Sequence, residues 1–341
     1  MRGIGSDILR TRSPFWRDAR ALAVLAQVLV VVIVALALAG AMATLRRSFI
    51  RQNIHLDWSV LRQPAGFDLS ALQWTVDLDT LRIKRYEPTD SNAEAIIAGL
   101  INTIQVAVMG IVLATLLGVV AGVARLSQNW LVGRMALGYV EALRNTPLLV
   151  QLFFWYFGIF LQLPDGSSSH PPLRLLGSLV TLTNSGLAVG GTRVERFGRL
   201  VAEGGYQLTP ELAALVIGLA VYTSAFIAEI VRGGIQTVSR GQMEAARSLG
   251  LTYRQGLRLI VLPQAFRIII PPLGNQFLNL TKNSSLALGI GYAELLTAAN
   301  TVSSQSFRSL EAFTVVTVAY LMVSLVISAG LNLIRRRLAT S

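Results

Sequence analysis

The chain has 341 residues, 53% of them hydrophobic and 14% charged, a balance far more apolar than that of a soluble domain and fitting an integral membrane protein. It contains no cysteine, which excludes disulfides and thiolate metal sites. The formal net charge of +12 would suit nucleic acid, but the arginines cluster beside apolar runs as cytoplasmic anchors do, so no nucleic-acid partner is expected.

Arg2, Arg10, Arg12 and Arg17 precede an apolar run from Ala19 to Leu45. The run exceeds the roughly 7–15 apolar residues of a signal-peptide core. Residues 1–45 therefore read as a basic cytoplasmic tail and a first membrane span. Residues 46–92 mix arginine with Asp57, Asp68, Asp77, Asp79, Glu87 and Asp90, and are expected outside the membrane as an extracytoplasmic segment. The second span covers Ala93–Ala124, where Gly118 and Gly122 form a G-x-x-x-G pair suited to close helix approach. Asn102, Thr103 and Gln105 are polar groups near its outer end, either interhelical glue or the lining of a substrate path. In the third span, up to Leu163, Glu141 and Arg144 are spaced to pair, and Asn145-Thr146-Pro147 predicts a bend. Gly, Ser and Pro clusters make 164–210 an extracytoplasmic insert of loops, with Leu173–Val189 as a surface-packed excursion. The fourth span, Glu211–Arg232, ends with Glu229 and Arg232 positioned to neutralise each other.

Between two apolar spans lies a polar segment, residues 239–263, reading S-R-G-Q-M-E-A-A-R-S-L-G-L-T-Y-R-Q-G-L-R-L-I-V-L-P. Ser239 with Gln242 and Thr252 with Gln255 each fit a capping box, which predicts two short helices. Gly250 is expected to stop the first helix and Pro263 to close the second, with Met243, Ala246 and Leu249 sharing one face. Arg240, Arg247, Arg254 and Arg258 against the single acid Glu244 place the pair inside the cell.

The fifth span follows Pro263 and carries Asn275, Asn279 and Lys282 at i, i+4 and i+7, with Asn283 adjacent. A helix puts the first three on one stripe, and a lysine facing lipid is costly enough that the stripe should meet protein, water or a ligand. Residues Tyr292–Leu310 read as a short polar connection, Glu311–Ile334 as the sixth span, and 335–341 as a basic cytoplasmic tail. An even number of spans puts both termini in the cytoplasm.

The chemistry available is limited. His55 and His170 both fall in extracytoplasmic segments, so no span carries imidazole. A serine–lysine dyad of Lys282 with Ser284 or Ser285 lacks a third group to orient it. The only lysines, Lys84 and Lys282, do not follow glycine as a phosphate-binding G-K-[ST] loop requires, so no catalytic residue, metal or cofactor is expected and any nucleotide motor is another polypeptide.

Glu244-Ala245-Ala246-x-x-x-Gly250, followed by Ile260-x-Leu262-Pro263, resembles the cytoplasmic-loop motif of permease subunits of bacterial ABC importers. E-A-L-R-N-T-P-L-L-V-Q from Glu141, T-S-A-F-I-A-E-I-V-R-G-G-I from Thr223, L-P-Q-A-F-R-I-I-I-P-P-L-G-N-Q from Leu262 and K-N-S-S-L-A from Lys282 are similar to the polar amino-acid uptake branch. The resemblance covers about residues 93–334; the long segments 46–92 and 164–210 are similar to those of the larger broad-range L-amino-acid permeases. It implies an all-α membrane protein of about six transmembrane helices, a five-helix permease core over 93–334 preceded by one N-terminal helix. It implies as partners a second, different permease chain, two cytoplasmic ATPases, a soluble extracytoplasmic amino-acid-binding protein and membrane lipid. Glu244, Ala245, Ala246, Gly250, Ile260, Leu262 and Pro263 would then form the ATPase-coupling element. Asn275, Asn279, Lys282, Asn283, Asn102 and Thr103 are candidates for the substrate path. An ion-gradient-driven secondary transporter should show an internal repeat, which is absent, and a non-transporting structural subunit would leave the polar stripe unexplained.

Overall fold

The computed structural model describes residues 19–51, 55–69, 74–166, 170–175, 179–190, 192–196, 199–203 and 206–340. The expected basic tail at residues 1–18 lies outside them. The chain divides into two units, one ending at Asp57 and the other running from Trp58. The first contains α1 (Ala19–Arg51), apolar on every face with Val31 and Leu36 about two-thirds exposed, as suits a helix surrounded by lipid.

The second unit contains two long helices in close contact, α2 (Asn92–Ala124) and α5 (Pro210–Thr237). Gly110, Ala114, Gly118 and Gly122 recur every fourth residue on the buried face of α2, while Val108, Val112, Leu116 and Val120 on other faces are exposed. A Cβ at Gly118 would lie 2.6 Å from the side chain of Ile227, and one at Gly122 2.7 Å from the Ala228 carbonyl. The G-x-x-x-G pair thus does what its spacing predicts, letting backbone approach backbone.

Among the described residues, five helical stretches are long and apolar enough to cross a membrane: Leu22–Arg51, Asn92–Ala124, Pro210–Thr237, Tyr253–Ile290 and Ser309–Arg337. The expected third span differs. Its apolar helix is shorter, Leu148–Gln162, because Pro147 separates α3 (Trp130–Arg144) from α4 (Leu148–Phe153). Helix α4 continues through a π turn at Phe154–Ile159 and a 3-10 turn at Phe160–Gln162. Carbonyls freed at the break are taken up by Gln151, whose Nε2 donates to Leu143 O at 2.8 Å and Thr146 O at 3.1 Å. Glu141 and Arg144 do not pair; Arg144 instead lies over the Phe226 ring, 5.3 Å from its centroid.

The chain is mostly helical, and among the described residues strands occur only in the two polar segments. Between α1 and α2, β1 (Trp74–Val76) and β2 (Ile83–Arg85) form an antiparallel hairpin with Thr75 opposite Lys84. It is fastened to α2: Thr75 Oγ1 donates to Glu94 O at 2.7 Å, and Lys84 Nζ meets Asp90 at 2.7 Å and Glu94 at 3.0 Å. Those carboxylates hold the Lys84 ammonium above the usual lysine range. In the second segment, β3 (Leu173–Leu175), β4 (Val180–Thr183), β5 (Gly186–Val189) and β8 (Tyr206–Leu208) make a four-stranded antiparallel sheet. Strands β6 (Thr192–Arg196) and β7 (Arg199–Glu203) pair separately. The Gly, Ser and Pro clusters of 164–210 read as loops, with Asn184, Ser185 and Gly186 interrupting the apolar stretch Leu173–Val189. Asn184 and Ser185 form the turn between β4 and β5, and Gly186, which opens β5, has φ +122° and a missing side chain that leaves room for Leu208 O.

The remaining α-helices are α6 (Arg240–Ser248), α7 (Tyr253–Gly256), α8 (Leu262–Asn283), α9 (Leu295–Ser306) and α10 (Ser309–Thr340), with a 3-10 helix at Ser284–Ile290 between α8 and α9. Helix α9 occupies what was expected to be a short polar connection. Its Leu295, Ala299 and Val302 are buried against Ile96, Ala312 and Val316, a helical period that Thr297, Asn300, Thr301, Ser303 and Ser304 mask when only mean polarity is considered.

Candidate functional site

The polar pair between α5 and α8 is built on backbone geometry. Helix α6 starts at Ser239, but the expected first capping box does not form: the Ser239 side chain makes no cap bond, and Gln242 N–H donates to the Ser239 carbonyl at 3.1 Å. The Gln242 side chain instead reaches Gln264 on α8 at 3.4 Å. At the other end, Leu251 N–H donates to Ala246 O at 3.1 Å and Gly250 N–H to Arg247 O at 2.9 Å. With Gly250 at φ +81°, this is a Schellman motif, in which a left-handed residue satisfies the last carbonyls of a helix. No atom lies within 4 Å of a Cβ placed on Gly250, so backbone conformation alone requires glycine there.

Helix α7 opens with the second capping box, which forms as expected: Thr252 accepts from Gln255 N–H while the Gln255 side chain accepts from Thr252 N–H. Buried Ala246 and Met243 pack on Gly256, where an added Cβ would meet Met243 Sδ at 2.8 Å and Ala246 Cβ at 3.3 Å. Leu249, expected on the packed face, is 80% exposed because the Schellman turn carries it outward. The Arg247 guanidinium lies 5.9 Å from the Tyr253 ring centroid across the turn. Glu244 and Ala245 are exposed on the free side of α6.

Pro263 does not close the second helix. Residues Leu257–Val261 form a π turn in which Leu262 N–H donates to Leu257 O, five residues back, and α8 continues through Pro263 in its first turn. The π register absorbs a residue that has no N–H to give, so the helix runs unbroken into the membrane span. Ile260 and Leu262 are half-buried along it, and Pro263 is exposed.

Further along α8, Asn275, Asn279 and Lys282 are exposed and Asn283 is half-buried. Among the described residues none of these four side chains has a hydrogen-bond or ion-pair partner. A stripe of unpaired polar groups on a span-length helix is open to water, a ligand or another chain. Asn102 and Thr103 are not part of it. Both are fully buried in α2: Asn102 Nδ2 donates to Ala293 O at 2.7 Å, and Thr103 Oγ1 accepts from Leu295 N–H at 3.1 Å, so they hold the start of α9.

Two clusters escaped sequence reading. Arg125, after the end of α2, contacts Glu229 on α5, extending the expected Glu229–Arg232 pair into a three-residue bridge. Glu294, fully buried before α9, accepts from Tyr320 and Thr297 and lies 3.3 Å from Thr103 Oγ1. Its signal was present in the sequence as an acid three residues before Thr297, the spacing of a helix N-cap.

With this geometry established, residues 114–340 match the family model for binding-protein-dependent transport system inner membrane components. The chain belongs to that family. The permease is 36% identical to YhdX of Escherichia coli (strain K12), which carries the name of an amino-acid ABC transporter permease, over 84% of this chain and 86% of that one. It is 33% identical to the general L-amino acid transport system permease protein AapQ of Rhizobium johnstonii, over 85% of each. Among solved structures, a crystal structure of an amino acid ABC transporter with histidines superposes with TM-score 0.54 at 31% identity, covering 72% of the permease and 94% of that chain. The permease is thus an inner-membrane component, and an ion-gradient-driven or purely structural role is set aside.

Proposed function

We propose that the permease imports a broad range of L-amino acids as one of two different permease chains, powered by ATP hydrolysis on two separate cytoplasmic ATPases and supplied by a soluble extracytoplasmic binding protein. Family membership and the general L-amino acid assignment of AapQ support this reading. In this orientation both termini and residues 239–263 face the cytoplasm, while 46–92 and 164–210 lie outside.

The observation that carries the reading is the construction of the helix pair. The Schellman turn at Gly250 and the Met243–Ala246–Gly256 packing make α6 and α7 one stiff body, and the π turn joins that body to α8 without a loop. A stiff element continuous with a span can turn nucleotide-driven closure of an ATPase into helix motion, as coupling through a two-state interface requires. Glu244 and Ala245 on its free side, with Leu249 at the tip, are the contact surface; Ala246 and Gly250 set its shape; Ile260, Leu262 and Pro263 connect it to α8.

For substrate, Lys282 meets the carboxylate and Asn275, Asn279 and Asn283 supply hydrogen bonds, with α8 lining the path between the permease chains. A Gly250→Val variant tests the coupling assignment. ATPase association and amino-acid uptake should both fall while the variant still reaches the membrane; normal values for both would remove it.

A further inference from the structure

The buried carboxyl of Glu294 has a proton inventory that can be counted. Its Oε1 accepts from Thr297 N–H at 2.9 Å and Thr297 Oγ1 at 3.3 Å; its Oε2 accepts from the Tyr320 hydroxyl at 2.7 Å and lies 3.3 Å from Thr103 Oγ1. Thr103 Oγ1 also accepts from Leu295 N–H at 3.1 Å and lies 3.0 Å from the Gly99 carbonyl, four residues back on α2. A hydroxyl has one proton and two acceptor lone pairs. The shorter contact and the helical geometry assign the Thr103 proton to Gly99 O. The Thr103–Glu294 contact then sets two acceptors against each other unless the carboxyl supplies the proton. If it does, Thr103 donates once and accepts twice, and the contact becomes a hydrogen bond.

The surroundings point the same way. The groups facing Glu294 among the described residues are Thr103 from α2, Tyr292 from the preceding segment, Thr297 from α9 and Tyr320 from α10, with no cation among them. Burial pushes the Glu294 carboxyl above the usual carboxylate range, against the hydrogen bonds that pull it down. An ionised carboxylate in such a site is far costlier than a hydrogen-bonded acid.

We propose that Glu294 is a neutral carboxylic acid that donates its proton to Thr103, and that this acid is a positioning latch tying the α8–α9 connection to α2 and α10. The proton is held while Glu294 stays buried. With the folded pKa raised, the stability it contributes is complete below the ordinary glutamate value and declines as pH rises towards the folded one.

Infrared spectroscopy of the full-length protein in lipid tests this directly. The difference between wild type and Glu294→Gln should contain a protonated-carboxyl C=O band, which separates Glu294 from Glu94 and Glu311, the other buried acids among the described residues. Thr103→Val removes the acceptor and should shift that band to higher frequency. A carboxylate band in the difference, or a protonated band unmoved by Thr103→Val, would overturn the proposal. Glu294→Gln, a neutral isostere, should assemble and retain uptake, and failure to assemble would also count against it. The uptake measurement rests on the importer reading and the infrared measurements do not, so the two can fail separately.

Discussion

Gly250 connects backbone physics to transport at a single residue. A side chain there enters open space, so the cost of replacing it is the left-handed backbone, about 1–2 kcal/mol, or roughly tenfold in the population of the correctly turned loop. Gly250→Ala should therefore lower uptake several-fold with normal membrane levels, and Gly250→Val more; an unchanged rate for both would show that the turn is not needed. On α8, Asn279→Leu should abolish or narrow uptake while assembly is retained, because it removes an exposed polar group and no internal contact. Uptake with unaltered selectivity would take Asn279 off the path. Gly250 and the Thr252–Gln255 box were legible in the sequence because both are local: a stop residue and a reciprocal cap need only their neighbours. Ser239–Gln242 has the same spacing but makes no cap, because the Gln242 side chain turns to Gln264, 22 residues later in the chain. The N-cap spacing of Glu294 to Thr297 is local, but its burial is not legible, for a related reason. Its environment is assembled from Thr103 and Tyr320, far apart in sequence.

Among the elements, α2 and α5 depend on the small-residue seam more than on any polar bond. Gly118→Leu would drive a side chain into Ile227, and overpacking of a tight contact costs about 1–3 kcal/mol. The variant should unfold at lower temperature in detergent, with the loss eased by Ile227→Ala; equal melting of Gly118→Leu and wild type would show the seam to be slack. Helix positions could be read from sequence because twenty-residue apolar runs have few alternatives in a membrane. The breaks within them were harder. Asn145-Thr146-Pro147 does interrupt its helix, since Gln151 can cap the freed carbonyls. Pro263 does not, since a π turn removes the need for its missing N–H. The strands of residues 164–210 were hidden because Gly and Ser serve equally in loops and in hairpin turns.

For the whole molecule, the stiff helix pair and the unpaired stripe on α8 divide the work, one receiving force and the other meeting substrate. The division of the chain into separate segments also predicts tolerance: removing the β6–β7 hairpin, residues 192–203, should leave the permease assembled, since its register is internal to the hairpin. Loss of assembly would show that the hairpin supports the bundle. ATP-driven motion enters the permease, on this proposal, at residues 239–263. The most direct measurement is uptake of labelled L-amino acids into proteoliposomes containing the permease, its partner permease, the ATPases and the binding protein. Accumulation should require ATP on the ATPase side, persist when ion gradients are collapsed, and be lost in Gly250→Val. Accumulation without ATP that disappears with the ion gradient would contradict it.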